Sequence, residues 1–439
     1  MIATVTFGTP AFDAVLARLQ VRGESDFSKA EPAVREILAA VQKEGDAAVL
    51  RYVERFEKRA PAALLRRDFG GEAALGRLAP DAREALGYAA ARIRDFHVRE
   101  RDAMFPGLAA GKLAFQHEGS SLGLRVRPLA RVGVYAPGGK ARYPSSVLMS
   151  AIPAKVAGVE DVVLATPLAG DGSDDAVLAA AHLAGVTAIV DAGGAQAIAA
   201  LAHGTRPIPQ VDKIVGPGNA YVACAKRLVY GAVSIDSIAG PSEILVVADR
   251  TADPRHVAAD LLSQAEHDED AYPLLIAETE AMVDAVAEEL ARQLADLPRQ
   301  AIARASLERH GQAFVVPARA EMAAVADRLA PEHLSLQVAE PDVMLASIRH
   351  AGAAFLGPLT PEAAGDYVAG PSHVLPTGGA VRFGSPLGVH DFVARTSVIR
   401  YSAEDLRRDE RAICVLARLE GLEAHARAVT IRTDHHPRE

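Results

Sequence analysis

The sequence predicts an α/β fold of parallel, doubly wound layers. From residue 131 onward, short β-rich runs alternate with helical stretches, the pattern of strands joined by helical crossovers. The alternation comes in two successive blocks of similar texture, which look like related modules although no fixed-period repeat joins them. Three strand candidates end in glycine-rich turns that open a helix.

Taken in chain order, residues 31–44 and 80–101 carry apolar side chains at three- and four-residue spacing and are predicted helices. Between them, 64–78 is rich in Gly and Arg, a loop with a short element. The first block has strands at 132–135, 161–165, 188–191, 213–215 and 233–235, separated by helices at 145–156, 174–184, 195–202 and 220–229. The second block has strands at 244–247, 273–277, 313–316, 334–337 and 353–356. Its helices fall at 254–266, 281–294, 319–329 and 341–349. From Pro386 the texture changes again: a Ser-Pro-Leu-Gly turn, a strand at 397–401, a helix near 403–419 and a charged, His-rich end.

A chain of 439 residues exceeds one ordinary core, so two or three domains are expected. Half of its residues are hydrophobic, which places it among globular proteins. The net charge of −9 and the dispersed basic residues argue against a nucleic-acid partner. Two cysteines, Cys224 and Cys414, make neither a disulfide framework nor a thiolate zinc site and are expected as buried thiols. The start lacks a basic segment followed by an apolar one, and no apolar run approaches the roughly 20 residues that span a bilayer, so a cytoplasmic protein is expected.

Metal-capable side chains are scattered over the second half. The predicted helix from Pro254 has a capping Asp253 and an apolar stripe of Val257, Leu261 and Ala265. Asp260, Gln264 and His267 project from another face, because residues three and four apart are neighbours on a helix. They read either as half of a metal site or as a solvated helix end, and nothing local separates Asp260 from Gln264. Glu332 and His333 precede a strand, a junction where a proton-transfer pair is well displayed, although a surface pair has the same look. Residues 365–379 crowd glycines and prolines around Asp366, Ser372 and His373 with no helical or strand period, a functional loop or a structural one. Glu420 and His425 fall in Leu-Glu-Gly-Leu-Glu-Ala-His-Ala-Arg-Ala-Val-Thr (419–430). The turns at Pro137-Gly138-Gly139, Gly193-Gly194 and Gly216-Pro217-Gly218 offer backbone N–H groups to an anion. None matches G-x-G-x-x-G. The terminal Asp434-His435-His436 reads as a solvated tail.

These segments resemble the histidinol dehydrogenase family over residues from about 30 to about 432. The shared words are Gly133-Val-Tyr-Ala-Pro-Gly-Gly-Lys140, Tyr143-Pro-Ser-Ser-Val-Leu-Met149, Gly193-Gly-Ala-Gln-Ala-Ile-Ala199, Lys213-Ile-Val-Gly-Pro-Gly-Asn219 and Ile238-Ala-Gly-Pro-Ser-Glu243. They continue with Ser263-Gln-Ala-Glu-His-Asp268, Ala330-Pro-Glu-His-Leu334, Gly365-Asp-Tyr and His373-Val-Leu-Pro-Thr-Gly-Gly379. Ser372 stands where the family usually has Asn, and Ser237 where it often has Met.

The resemblance implies one zinc ion per subunit held by Gln264, His267, Asp366 and His425, with Asp260 not a ligand. It implies Glu332 and His333 as the proton-transfer pair. Substrate would be held by Ser242 and Glu420 together with Gln264, His267, His333, Asp366 and His425, and NAD would meet Tyr135, Gln196 and Asn219. The implied reaction is a zinc- and NAD-dependent four-electron oxidation of L-histidinol, through the aldehyde, to L-histidine. The implied architecture is two incomplete Rossmann-like domains. Residues 29–134 and 243–386 would form a discontinuous domain with most zinc and catalytic residues, and 135–242 a domain contributing NAD contacts. Residues 1–28 would be an N-terminal extension, and 387–439 a C-terminal extension reaching the partner of an intertwined homodimer. Two other readings stay open at this point: the same zinc set oxidising another small polyol or hydroxy-sulfonate, and a zinc hydrolase that uses Glu332 without NAD.

Overall fold

The computed structural model describes residues 2–23, 27–108, 121–138 and 143–434. Gly139, Lys140, His435 and His436 lie outside the described residues. The chain divides into two compact units, Met1–Glu100 with Leu129–Phe392, and Arg101–Pro128 with Val393–Glu439.

The larger unit is built on two six-stranded sheets. Across the first run Ala3–Thr6, Gln312–Val315, Tyr272–Ala277, Glu243–Ala248, His333–Gln337 and Ala353–Leu356, all parallel. Across the second run Leu65–Arg66, Ala188–Val190, Asp161–Ala165, Arg131–Tyr135, Lys213–Val215 and Ser234–Ile235, parallel except for the antiparallel Leu65–Arg66 edge. Counting only the five strands of each sequence block in chain order, both sheets run 3-2-1-4-5, and both add their sixth strand beside strand 3. The two blocks are therefore one topology used twice. Their strands read as near-continuous apolar runs because helices cover both faces: all six residues of Glu243–Ala248 are buried.

The predicted strands and helices of both blocks are present, with ends moved by a residue or two, except that the helix expected over 341–349 stops at Leu345. Several elements were not legible. Gln300–His310 and Glu423–Thr433 are helices, and Ser121–Pro128 is a strand. Packing also differs from the grouping expected of the first 134 residues. Ala3–Thr6 joins the first sheet, and Phe12, Leu16 and Leu19 of helix Pro10–Gln20 pack with Phe314 and Met322, so the expected N-terminal extension is woven into a core. Helices Glu31–Glu44 and Asp46–Glu57, grouped in the sequence reading with 243–386, instead bury Val34, Ile37, Val41 and Tyr52 against Tyr135, Val163 and Ile198 of the second sheet's core. An amphipathic stripe fixes that a helix packs, not which sheet receives it.

In the smaller unit, Ser121–Pro128 pairs antiparallel with Val393–Arg400. Helices Ala403–Leu419 and Glu423–Thr433 follow, joined at Gly421 and packed through Cys414, Ala417 and Ala426. Both cysteines are buried and unpaired, as expected. Among the described residues, no helix is long and apolar enough to cross a membrane.

Candidate active site

Helix Pro254–Ala265 starts as its sequence dictates: Asp253 accepts from the Arg255 N–H at 2.9 Å, and Pro254 takes the first position. Val257, Leu261 and Ala265 enter the core. On the other face Asp260 and Gln264 are buried too, while His267 at the helix end is exposed. Asp260 and Gln264, indistinguishable in sequence, have different surroundings. Asp260 Oδ2 accepts from Ser335 Oγ and Gln337 Nε2, both at 3.1 Å, and is tied to strand His333–Gln337. Gln264 is 0% exposed, and among the described residues neither its amide oxygen nor its nitrogen has a hydrogen-bond partner.

His267, just beyond this helix, places Nε2 3.9 Å from Asp366 Oδ2. On the other side, His373 Nδ1 lies 3.6 Å from Asp366 Oδ1. Asp366 sits on a short helix, Glu362–Tyr367, where the sequence showed no period. One turn earlier this helix presents Glu362, which sequence reasoning missed. Glu362 Oε2 accepts from Ser263 Oγ at 2.9 Å, and Oε1 lies 3.8 Å from His333 Nε2 with no hydrogen-bond partner among the described residues. His333, Glu362 and Asp366 bring ligand-type atoms within 4.8 Å of one another. The available signal was two carboxylates four residues apart, neighbours on one helix face.

His333 opens strand His333–Gln337, and Glu332 precedes it. The Glu243 N–H donates to Glu332 Oε2 at 2.8 Å, and the Glu243 carbonyl lies 3.0 Å from His333 Nδ1. A carbonyl only accepts, so Nδ1 carries the proton and Nε2 keeps its lone pair. Burial pushes the His333 imidazole down to about 4, so it is neutral near pH 7 and able to take a proton. Burial, reinforced by Glu243, raises the Glu332 carboxyl well above the usual range, and burial with nearby Asp366 does the same to Glu362. Asp366 is also raised by burial, but its hydrogen bond to His373 and the surrounding imidazoles outweigh that and hold it below its ordinary value.

His267, Glu332, His333, Asp366 and His373 face a cleft of about 2280 Å³ that also takes in Ser242, Tyr135, Gln196 and Asn219. Strands Arg131–Tyr135 and Lys213–Val215 meet it with their carboxyl ends. The turn after Lys213–Val215 needs glycine: Gly216 has φ +112°, and a Cβ there would lie 2.2 Å from the Tyr135 carbonyl oxygen. Three of the donors that the sequence offered to an anion are already taken. Gly193 N–H donates to Glu57 Oε1 at 2.9 Å, Gly194 N–H to the Tyr135 hydroxyl at 3.0 Å and Gly216 N–H to Asp236 at 2.7 Å. Gln196 donates to Glu57 at 3.2 Å, and Asn219 caps helix Ala220–Val229. Burial pushes the Tyr135 phenol up to about 12. Glu420 and His425 belong to the smaller unit, where both are exposed.

Two largely parallel sheets around one cleft, with a buried imidazole and carboxylates beside metal-suited donors, are the arrangement of an enzyme active site. Comparison with known proteins then specifies it. The histidinol dehydrogenase family profile matches residues 20–433. The chain is 50% identical to the histidinol dehydrogenase of Syntrophotalea carbinolica over 434 residues, 98% of this chain and 99% of that one. It is 52% identical to that of Pseudomonas aeruginosa over 403 residues, 91% and 90% of the two chains. Its fold matches the crystal structure of histidinol dehydrogenase from Elizabethkingia anophelis with a TM-score of 0.90 and 33% identity, over 98% of each chain. The chain belongs to the histidinol dehydrogenase family. It is an oxidoreductase that acts on a small molecule, and its family places it in histidine biosynthesis.

Proposed function

We propose that the enzyme oxidises L-histidinol to L-histidine through L-histidinaldehyde, consuming two NAD⁺ and one water and using one zinc ion per subunit. The observation that carries this reading is the Gln264 amide, fully buried three residues before His267 of the His267–Asp366 pair, with neither polar atom partnered among the described residues. An unpaired buried polar group costs about 1–3 kcal/mol, and a cation bound by the amide oxygen would remove that atom's share of the cost. The donors fit zinc: imidazole, carboxylate and a neutral amide oxygen. Gln264, His267, Asp366 and the partner's His425 would hold the ion, which would bind the substrate's imidazole and amine and so orient it. NAD⁺ would take up the hydride at each oxidation, bound along the cleft by Tyr135, Gln196 and Asn219.

His333 Nε2 takes the hydroxyl proton in the first oxidation and that of the hydrated aldehyde in the second. Glu332, held toward the cleft by the Glu243 N–H, accepts the proton of the water that attacks the aldehyde. Ser242 and Glu420 position the substrate. In this division residues 243–386 hold metal and move protons, while 135–242 receive the cofactor. A biosynthetic role of this kind fits the cytoplasmic setting expected from the sequence.

The smaller unit supports a homodimer, because Leu416, Leu419 and Ile431 are 60%, 78% and 73% exposed on its helices, apolar surface that a second copy would cover. The direct test is an assay of histidinol with native and zinc-stripped enzyme. Two NADH per histidinol, lost on chelation and restored by zinc, are expected; histidinol consumed without NADH would point to the hydrolase instead. Subunit sharing is tested by mixing inactive His333→Asn and His425→Ala enzymes. Activity should return as subunits exchange, and silence after demonstrated exchange would assign His425 to its own chain.

A further inference from the structure

Glu332 and His333 are both held by the backbone of Glu243, one through its N–H and the other through its carbonyl. The Glu243 side chain, 1% exposed, is in turn locked to Arg22, 2% exposed. Arg22 Nε donates to Glu243 Oε2 at 2.7 Å. The same guanidinium donates to the Leu19 carbonyl at 2.7 Å and to the Ala330 carbonyl at 3.3 Å. The other Glu243 oxygen accepts from the Gly378 N–H. Next along, Gly23 lies against Gly378 so closely that a Cβ on it would come 2.2 Å from the Gly378 carbonyl oxygen.

One cation thus ties together the end of helix Pro10–Gln20, the first residue of strand Glu243–Ala248 and the turn that delivers Glu332. Ala330, whose carbonyl it holds, has φ 47°, a left-handed conformation that a non-glycine residue adopts only under constraint. Arg22 and Glu243 stand 221 positions apart in the chain. A buried ion pair is a poor choice for stability alone, since well-packed apolar residues often serve as well or better. Apolar residues cannot, however, grip two carbonyls and an N–H at fixed places.

We propose that Arg22 and Glu243 are positioning residues for the proton-transfer step: the pair fixes the Glu243 backbone and the Ala330 turn, and through them the reach of Glu332 and His333. This rests on Glu332 and His333 being the proton-transfer pair. Small displacements of such groups are costly, about 10²-fold for roughly 1 Å.

The test uses full-length, zinc-loaded enzyme and measures kcat, KM for histidinol, zinc content and thermal melting. Arg22→Leu combined with Glu243→Met removes both charges together, so no uncompensated charge is left buried. It should fold, keep its zinc and hold KM within about twofold while kcat falls about 10- to 100-fold. Arg22→Lys keeps the charge without the fork of donors and should recover part of that kcat. In a Glu332→Gln background Arg22→Lys should cost clearly less than in wild type, the non-additivity of residues acting through one another. Wild-type kcat in the folded double variant, or losses for Arg22→Lys and Glu332→Gln that simply multiply, would overturn the proposal. Should the double variant fail to fold, Arg22→Lys decides alone, and wild-type kcat there would sink it. Wild-type rates for Glu332→Gln on both histidinol and histidinaldehyde would instead remove the assignment on which the inference rests.

Discussion

The two sheets share a strand order yet turn opposite ends to the cleft. The second sheet presents the carboxyl ends of its strands, with Tyr135 closing one strand and Asn219 following another. That is the usual place for a ligand on such a sheet, at the point where strand order reverses. The first sheet presents amino ends: Ser242 and Glu332 immediately precede their strands, and His333 opens one. The second sheet's own amino edge is shut by ion pairs, Arg131 with Asp161 and Lys213 with Asp391, both at 2.6 Å. Shared topology therefore does not carry shared function. What differs is which edge is left open and whether the buried polar groups there have partners.

The comparison breaks most readily at the metal-suited edge. His267→Asn should abolish zinc binding and lower activity by about 10³-fold or more, with melting little changed because both cores lie elsewhere. An active, zinc-free variant would dissolve the assignment of that edge. Somewhat smaller losses are expected from the proton-transfer pair. His333→Asn should cost about 10²- to 10⁴-fold with histidinol and with histidinaldehyde alike. Glu332→Gln should slow aldehyde oxidation more than alcohol oxidation, and equal slowing would merge the two roles.

At the opposite edge, Gly216→Ala should strain the turn by about 1–3 kcal/mol and weaken NADH binding, read by fluorescence titration, with zinc content unchanged. Unaltered NADH affinity would remove that turn from the cofactor's path. The smallest effect belongs to the closed edge. Burial would raise Glu100, but hydrogen bonds from His390 and His97 and the Val389 N–H hold it at about 2, below the usual 4.5. Its hydrogen bond with Glu100 raises His390 above 6.5. The Glu100 contribution is complete above pH 4.5 and fades as pH falls toward 2; that of His390 is complete below 6.5 and fades as pH rises through its elevated value. His390→Ala should thus cost about 1–3 kcal/mol near pH 5–6 and less in alkali, by denaturant titration. A pH-independent loss would mean packing rather than charge.

Much of this was readable in the sequence, for physical reasons. Buried parallel strands announce themselves as apolar runs, and the Asp253–Pro254 start fixed the helix of Gln264. Helix Gln300–His310 went unread because its buried face, Ala303, Ser306 and Leu307, is mostly small or polar, and strand Ala3–Thr6 because four residues carry too little period. The metal-suited donors stood out as unusual residue types, and the resemblance implied Gln264 rather than Asp260, but their different hydrogen-bond surroundings appear only in three dimensions. Glu362 lies among Pro361, Ala363 and Ala364, with nothing local to mark it. Arg22 and Glu243 meet only in three dimensions, and no short-range pattern can report such a pair.

Glu57, parked at the amino end of helix Gly194–His203 and braced by Arg59, has a kinetic meaning under the proposed double oxidation. A helix end that already has its carboxylate is electrically sated, and an incoming pyrophosphate gains nothing from it. A dinucleotide without that anchor would depart faster than one held by it. An enzyme that must discard one spent carrier and admit a fresh one, while its half-oxidised aldehyde waits, is better served by such a loose berth than by a tight one.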